Sequence, residues 1–124
     1  MTEKIEIEVR SVDNAMVIDL VGDLTTFADE AVNKAYGAAT EQGAKNIIFN
    51  FRQNDYINSA GIAILIGVVT EARRRDQNIL ITGLSQHFQK IFRMVGLTQY
   101  VDIYQTLDDV LTELNSGTPA PDGA

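Results

Sequence analysis

The chain of 124 residues contains no cysteine, which excludes disulfides, thiolate nucleophiles and sulfur-ligated metal. It has a single histidine, His87, so most histidine-based metal sites are excluded and a hidden catalytic triad has almost nothing to draw on. Cations are also scarce. Ten Lys and Arg face 17 Asp and Glu, and the net charge of -7 disfavours nucleic acid, whose affinity comes largely from neutralising phosphates. No apolar run approaches the length of a membrane span. The opening Met1-Thr-Glu-Lys-Ile-Glu6 has acid where a secretory signal has basic and then apolar residues, so a cytoplasmic protein is expected. Both prolines fall within residues 115–124, beside two glycines, and that stretch reads as a disordered tail.

What remains is an ordinary globular composition, 45% hydrophobic and 22% charged, and enough chain for one domain with a real core. Ile5, Ile7 and Val9 alternate with charged residues, the period of a strand with one wet face. Asp13-Asn14 supplies a turn, and residues 15–21 form a second strand that pairs with the first as a hairpin and stops at Gly22. A polar connection over 23–26 leads into a helix that begins with Phe27 and runs to about Gln42, with Gly43 as its breaker. Residues 46–51 are apolar on both faces apart from their asparagines, as in a central strand covered by helices. A helix over 60–75, a strand over 78–82, a Ser85-capped helix with Phe88, Ile91, Phe92 and Val95 inward, a short strand over 100–103 and a Thr106-capped helix complete the order. The pattern predicts an α/β fold, one domain over 1–114, with a central mixed sheet of about five strands and about four α-helices.

The organising stretch is 49–67, where a buried strand passes through a polar loop into an almost wholly apolar helix. Ser59 stands at that hinge and reads as the N-cap of the helix, accepting from free amides of its first turn. A hydroxyl at a helix start is also well placed to carry a phosphate, because unpaired amides and the macrodipole favour negative charge there. On a helical wheel, Ile62, Leu65, Ile66, Val69 and Ala72 form the stripe facing the sheet. Ile64 and Val68 then project to the other side, as a docking surface beside Ser59 or under a neighbouring element. Arg73, Arg74 and Arg75 read as a solvated helix end that complements the dipole, and His87 as a surface residue. Asp23, Asp55 and Asp102 carry no second metal-ligand signature, so no catalysis, metal or cofactor is assigned to them.

The opening hairpin, Gly22-Asp-Leu24, the central strand, the hinge Asn58-Ser-Ala-Gly61 and Ile91-Phe-Arg-Met-Val-Gly-Leu97 together resemble the STAS domain of bacterial anti-sigma factor antagonists, across nearly all of residues 1–114. The resemblance implies a non-enzymatic, cytoplasmic binding protein that regulates sigma-factor-dependent transcription by partner switching. It implies an anti-sigma serine kinase as partner, bound in the dephosphorylated state and released on phosphorylation of Ser59, with a serine phosphatase as a further partner. Ser59 matches the phosphoacceptor position and Gly61 the hinge glycine. Asn58 stands where the family has aspartate, and Ala60 replaces a second hydroxyl. The resemblance also brings Asp23, Leu24, Thr25 and Thr26 to the kinase interface, and with the outer face of the second helix the partner surface becomes these four, Asn58 to Gly61, Ile64 and Val68. Two other readings stay open. One is a scaffold or adaptor in a stress-sensing or lipid-transport assembly, without phosphorylation; the other is nucleotide binding at the Ser59 helix start, although neither nucleotide-binding glycine motif is present.

Overall fold

The computed structural model describes residues 5–53 and 56–115. In chain order the elements are β1 (Glu6–Val12), β2 (Ala15–Val21), α1 (Asp29–Glu41), β3 (Asn46–Gln53), α2 (Ser59–Arg74), β4 (Asn78–Thr82), α3 (Gln86–Met94), β5 (Asp102–Tyr104) and α4 (Leu107–Asn115), with short 3-10 turns at Thr26–Ala28 and Leu97–Gln99. The five strands form one mixed sheet in sequential order. β1 and β2 pair antiparallel across a tight turn in which Asp13 adopts a left-handed φ of 53°, a conformation aspartate tolerates well. Every other pairing is parallel.

The period-two alternation of the strands divides the core. Ile18, Leu20, Ile47, Phe49, Ile79 and Ile81 face α1, α2 and α3, whereas Ala15, Val17, Ile48 and Leu80 face Val110 of α4. Two layers of helix therefore sandwich the sheet, which is why β3 reads as apolar on both sides. The α4 layer is short. Beyond its reach the same sheet face turns polar, and the groups there satisfy one another across four strands. Arg10 Nε donates to Asp19 Oδ2 at 2.6 Å, Asn50 Nδ2 to Asp19 Oδ1 at 2.8 Å, and Thr82 Oγ1 to Asn50 Oδ1 at 2.7 Å.

Several boundaries differ from those expected. Phe27 does not open α1; it sits in the preceding 3-10 turn and is 78% exposed, while the helix starts at Asp29. α3 ends at Met94, one residue before Val95, which is exposed rather than inward. β5 begins at Asp102 instead of Tyr100, because the chain after Gly96 first makes a 3-10 turn. Asn115, expected in the tail, is the last residue of α4 and donates to Asp13 Oδ2 at 2.8 Å. The rest of that tail, Asp55 and residues 1–4 lie outside the described residues.

The buried carboxylate gives the fold a definite acid response. Burial opposes ionisation of Asp19, but the hydrogen bonds from Arg10 and Asn50 outweigh it and hold the carboxyl below its ordinary range. A folded-state pKa below the unfolded one contributes stability that is complete above the unfolded value and is lost as pH falls through the folded one. Urea denaturation is expected to show this loss as pH falls through and below the ordinary carboxylate value of 3.8. Asp19→Asn is expected to flatten that part of the profile and to cost about 1–3 kcal/mol at neutral pH. A variant with the wild-type acid slope would remove Asp19 from this account.

Candidate functional site

β3 ends at the edge of the candidate site, and residues 56–58 carry the chain into α2. This segment does not stand free. Leu24 and Ile57 form an isolated parallel bridge, with Leu24 N donating to Tyr56 O at 2.9 Å and Asn58 N to Leu24 O at 3.2 Å. Both bridging side chains are buried. The connection after β2 and the start of α2 are therefore one backbone unit, pinned from below by two apolar side chains.

The cap of α2 is Asn58 and not Ser59. Asn58 has extended φ/ψ, and its Oδ1 accepts from Gly61 N at 2.8 Å. Ser59 is the first helical residue, and its side chain is exposed. The displacement by one residue matters chemically. With the capping bond made by Asn58, the Ser59 hydroxyl is not committed to the first turn and projects over a helix start whose leading amides have no intrahelical acceptor.

Gly61 sets how closely the two segments meet. A Cβ there would overlap the Leu24 carbonyl oxygen and lie 3.0 Å from Ile57 Cγ2. The backbone contact also fixes the rotation of α2 about its axis. Once Gly61 points inward, residues four, seven and eleven further on share its face, and Leu65, Val68 and Ala72 are accordingly buried.

This rotation corrects the expected docking face. Val68 is 1% exposed and belongs to the core, and Ile64 is half-buried against it; Ile66, expected inward, is 42% exposed. Leu24 is likewise buried, so in the 23–26 segment it anchors and does not present its side chain. Of the residues singled out from sequence, Thr26 and Ser59 are exposed, Asp23, Thr25, Asn58 and Ala60 are partly so, and Gly61 is buried. Two surface aromatics nearby were missed: Phe27 follows Thr26 and Tyr56 precedes Ile57, the latter 52% exposed. Phe27 is held outward because Thr25 Oγ1 accepts from its amide at 3.3 Å and starts the 3-10 turn one residue early. A Thr-Thr pair before the aromatic was the available signal.

No group of three His, Asp or Glu among the described residues is placed to hold a metal. His87 is exposed, its ring edge-on to Phe88 at 4.9 Å between centroids. No helix among the described residues is long and apolar enough to cross a membrane.

A helical start bearing an exposed hydroxyl, clasped by a neighbouring loop on a five-stranded mixed sheet, defines a small α/β module. The model of the STAS domain matches residues 6–110, and the chain belongs to that family. It is 19% identical over 99 residues to the anti-sigma-B factor antagonist of Staphylococcus aureus (strain NCTC 8325 / PS 47), covering 80% of this chain and 92% of that one. An anti-sigma factor antagonist from Mycobacterium paratuberculosis superposes with a TM-score of 0.76 at 20% identity, covering 89% of this chain and 93% of the other. The Bacillus cell fate determinant SpoIIAA in its phosphorylated form gives 0.69 at 22% identity, over 89% and 100%. At these identities the structural likeness establishes the shared fold.

The clasp makes a sharp stability prediction. Gly61→Ala is expected to cost about 1–3 kcal/mol, the range for overpacking a tight site, because its neighbour is rigid backbone. Gly67→Ala in the same helix meets nothing within 4 Å and is expected to stabilise by about 0.5–1 kcal/mol. Urea denaturation of the pair checks this; equal effects would mean that the Leu24 contact does not limit position 61.

Proposed function

We propose that the protein is an anti-sigma factor antagonist that binds an anti-sigma serine kinase while Ser59 is unmodified and leaves it once Ser59 is phosphorylated. The observation that carries the reading is the exposed Ser59 hydroxyl on the first turn of α2, freed by the Asn58 cap. The docking surface comprises Ser59, the exposed part of the 23–26 segment, and the flanking aromatics Phe27 and Tyr56. Ile64 contributes at its edge, and Leu24, Gly61 and Val68 act from beneath by holding the surface in place. Enrichment of partner surfaces in aromatics supports including the two rings. The sigma factor is released when the kinase is occupied by this chain, and a serine phosphatase resets the switch. The chain itself supplies no catalytic step.

The relatives named as anti-sigma factor antagonists support this assignment, as does the phosphorylated form known for SpoIIAA. Physical chemistry supports the direction of the switch. A phosphate adds about 1.5 to 2 negative charges, which the free amides and dipole of α2 accommodate. The cost then falls on the partner, whose surface was matched to a neutral hydroxyl. Asn58 in place of the family's aspartate leaves the cap intact, since either side chain accepts from a first-turn amide.

Incubation with the anti-sigma serine kinase of the same genome and ATP is expected to add one phosphate to the intact mass of the wild type and none to Ser59→Ala. Ser59→Asp is expected to keep its melting temperature and to bind the kinase at least about tenfold more weakly, about 1.4 kcal/mol. An unmodified wild-type mass would favour the scaffold reading. Undiminished kinase binding by Ser59→Asp would refute the switch.

A further inference from the structure

The side of α2 away from the hinge carries a second feature, outside the docking surface proposed above. Between α2 and the turn after α3 lies a hollow of about 420 Å³, inside the range of roughly 300–1,000 Å³ typical of small-molecule sites. Its floor is the apolar pair Val69 and Leu97, both nearly buried; Ile66 stands at its mouth, and Tyr100 and Arg73 form a wall. Ile66 lies seven residues past Ser59 and Arg73 fourteen, hence about 10 and about 21 Å along the helix. The hollow is thus spatially distinct from the candidate switch.

Charge tells what would occupy it. The Arg73 guanidinium carbon sits 4.3 Å from the centroid of the Tyr100 ring. A guanidinium resting on an aromatic ring keeps its in-plane N–H donors available for a carboxylate fork. No carboxylate pairs with it among the described residues: Glu71 is taken by Arg74 at 2.7 Å and Arg75 at 2.8 Å. Asp76 borders the neighbouring hollow, which shares only the Arg73 and Tyr100 wall with this one. In a chain of net charge -7, a simple anion gains little from one surface arginine. An anion with an apolar body gains from the floor as well.

We propose that this hollow binds a small amphiphilic carboxylate, with its acyl or aryl body along Ile66, Val69 and Leu97 and its carboxylate forked onto Arg73. The inference stands independently of the kinase switch. Titration of the isotope-labelled full chain with decanoate is expected to give saturable amide shifts centred on Ile66, Thr70, Leu97 and Tyr100. Decyltrimethylammonium, with the same tail and opposite charge, is expected not to saturate. Arg73→Gln and Ile66→Glu change exposed positions, and each is expected to weaken decanoate at least about tenfold, with the remaining spectrum unchanged as the check on folding. Ser59→Asp is expected to bind decanoate like wild type, so failure at the hinge and failure at the hollow read out separately. Absence of saturable shifts, equal binding of the cationic amphiphile, or full affinity in Arg73→Gln would overturn the proposal. Concentration-dependent self-association that Ile66→Glu abolishes would also overturn it, by assigning the hollow to a second copy of the chain.

Discussion

The Leu24 carbonyl meeting the face of Gly61 is the contact on which the arrangement depends. One oxygen does two things: it accepts from Asn58 N, and it occupies the space a side chain at 61 would need. The first ties the loop after β2 to the hinge after β3. The second brings α2 close enough for the loop to lie against its start and leaves the helix one rotational setting. Everything displayed at this end follows from that setting, including which residues of α2 are buried and why Ser59 looks outward. Because the tie is backbone to backbone, the surface is organised in the free chain, and binding there would cost little ordering entropy.

Beneath the clasp, the sheet needs a reason to hold its register where α4 no longer covers it. Three strands paired in parallel could trade apolar contacts for slippage, but the Arg10, Asp19, Asn50 and Thr82 chain makes one register better satisfied than its neighbours. A slip of one residue would turn Asp19 to the side of the sheet that carries α1, α2 and α3, where its charge has no partner. Asp19 and Thr82 are almost fully buried, at 3% and 0% exposed, so the cost of such an error is high. The polar chain crosses β1 to β4, and through β2 and β3 it steadies the two strands from which the loop and the hinge depart.

Strong periodicity made most of the fold legible in the sequence: the hairpin, the central strand, the crossover through α2 and the α4 layer all follow from alternation or from a helical stripe. The errors cluster where a single contact overrides the pattern. Ile66 and Val68 have nearly equal hydrophobicity, and a wheel cannot decide which faces inward; the Gly61 contact decides, and it joins residues 37 positions apart. Asp19 shares a face of β2 with Val17, and nothing in the local pattern marks it as buried, because its partners Arg10 and Asn50 lie on two other strands. Asn58 and Ser59 are both good caps, so their order could not be read from composition. Phe27 reads as the start of the helix because it continues the apolar spacing of Ala31, Ala35 and Ala38. The family pattern pointed to the end of the molecule where the 23–26 segment and the start of α2 meet, while the distinction between exposed and supporting residues there came only from burial.

The shift of the cap from Ser59 to Asn58 changes what a phosphate would do. If the serine were the cap, modifying it would remove the bond to Gly61 N and loosen the very contact that orients α2. With Asn58 in that role, the bond survives modification, and the new charge is added to a helix start that remains closed. Asn58 also brings no charge of its own, so a phosphate beside it meets less local repulsion than it would beside an aspartate. Under the proposed switch, the modified and unmodified chains would share one fold and differ in the field they show outward. On that proposal, discrimination between them would reside in the partner's surface, matched to a neutral hydroxyl and not to a dianion.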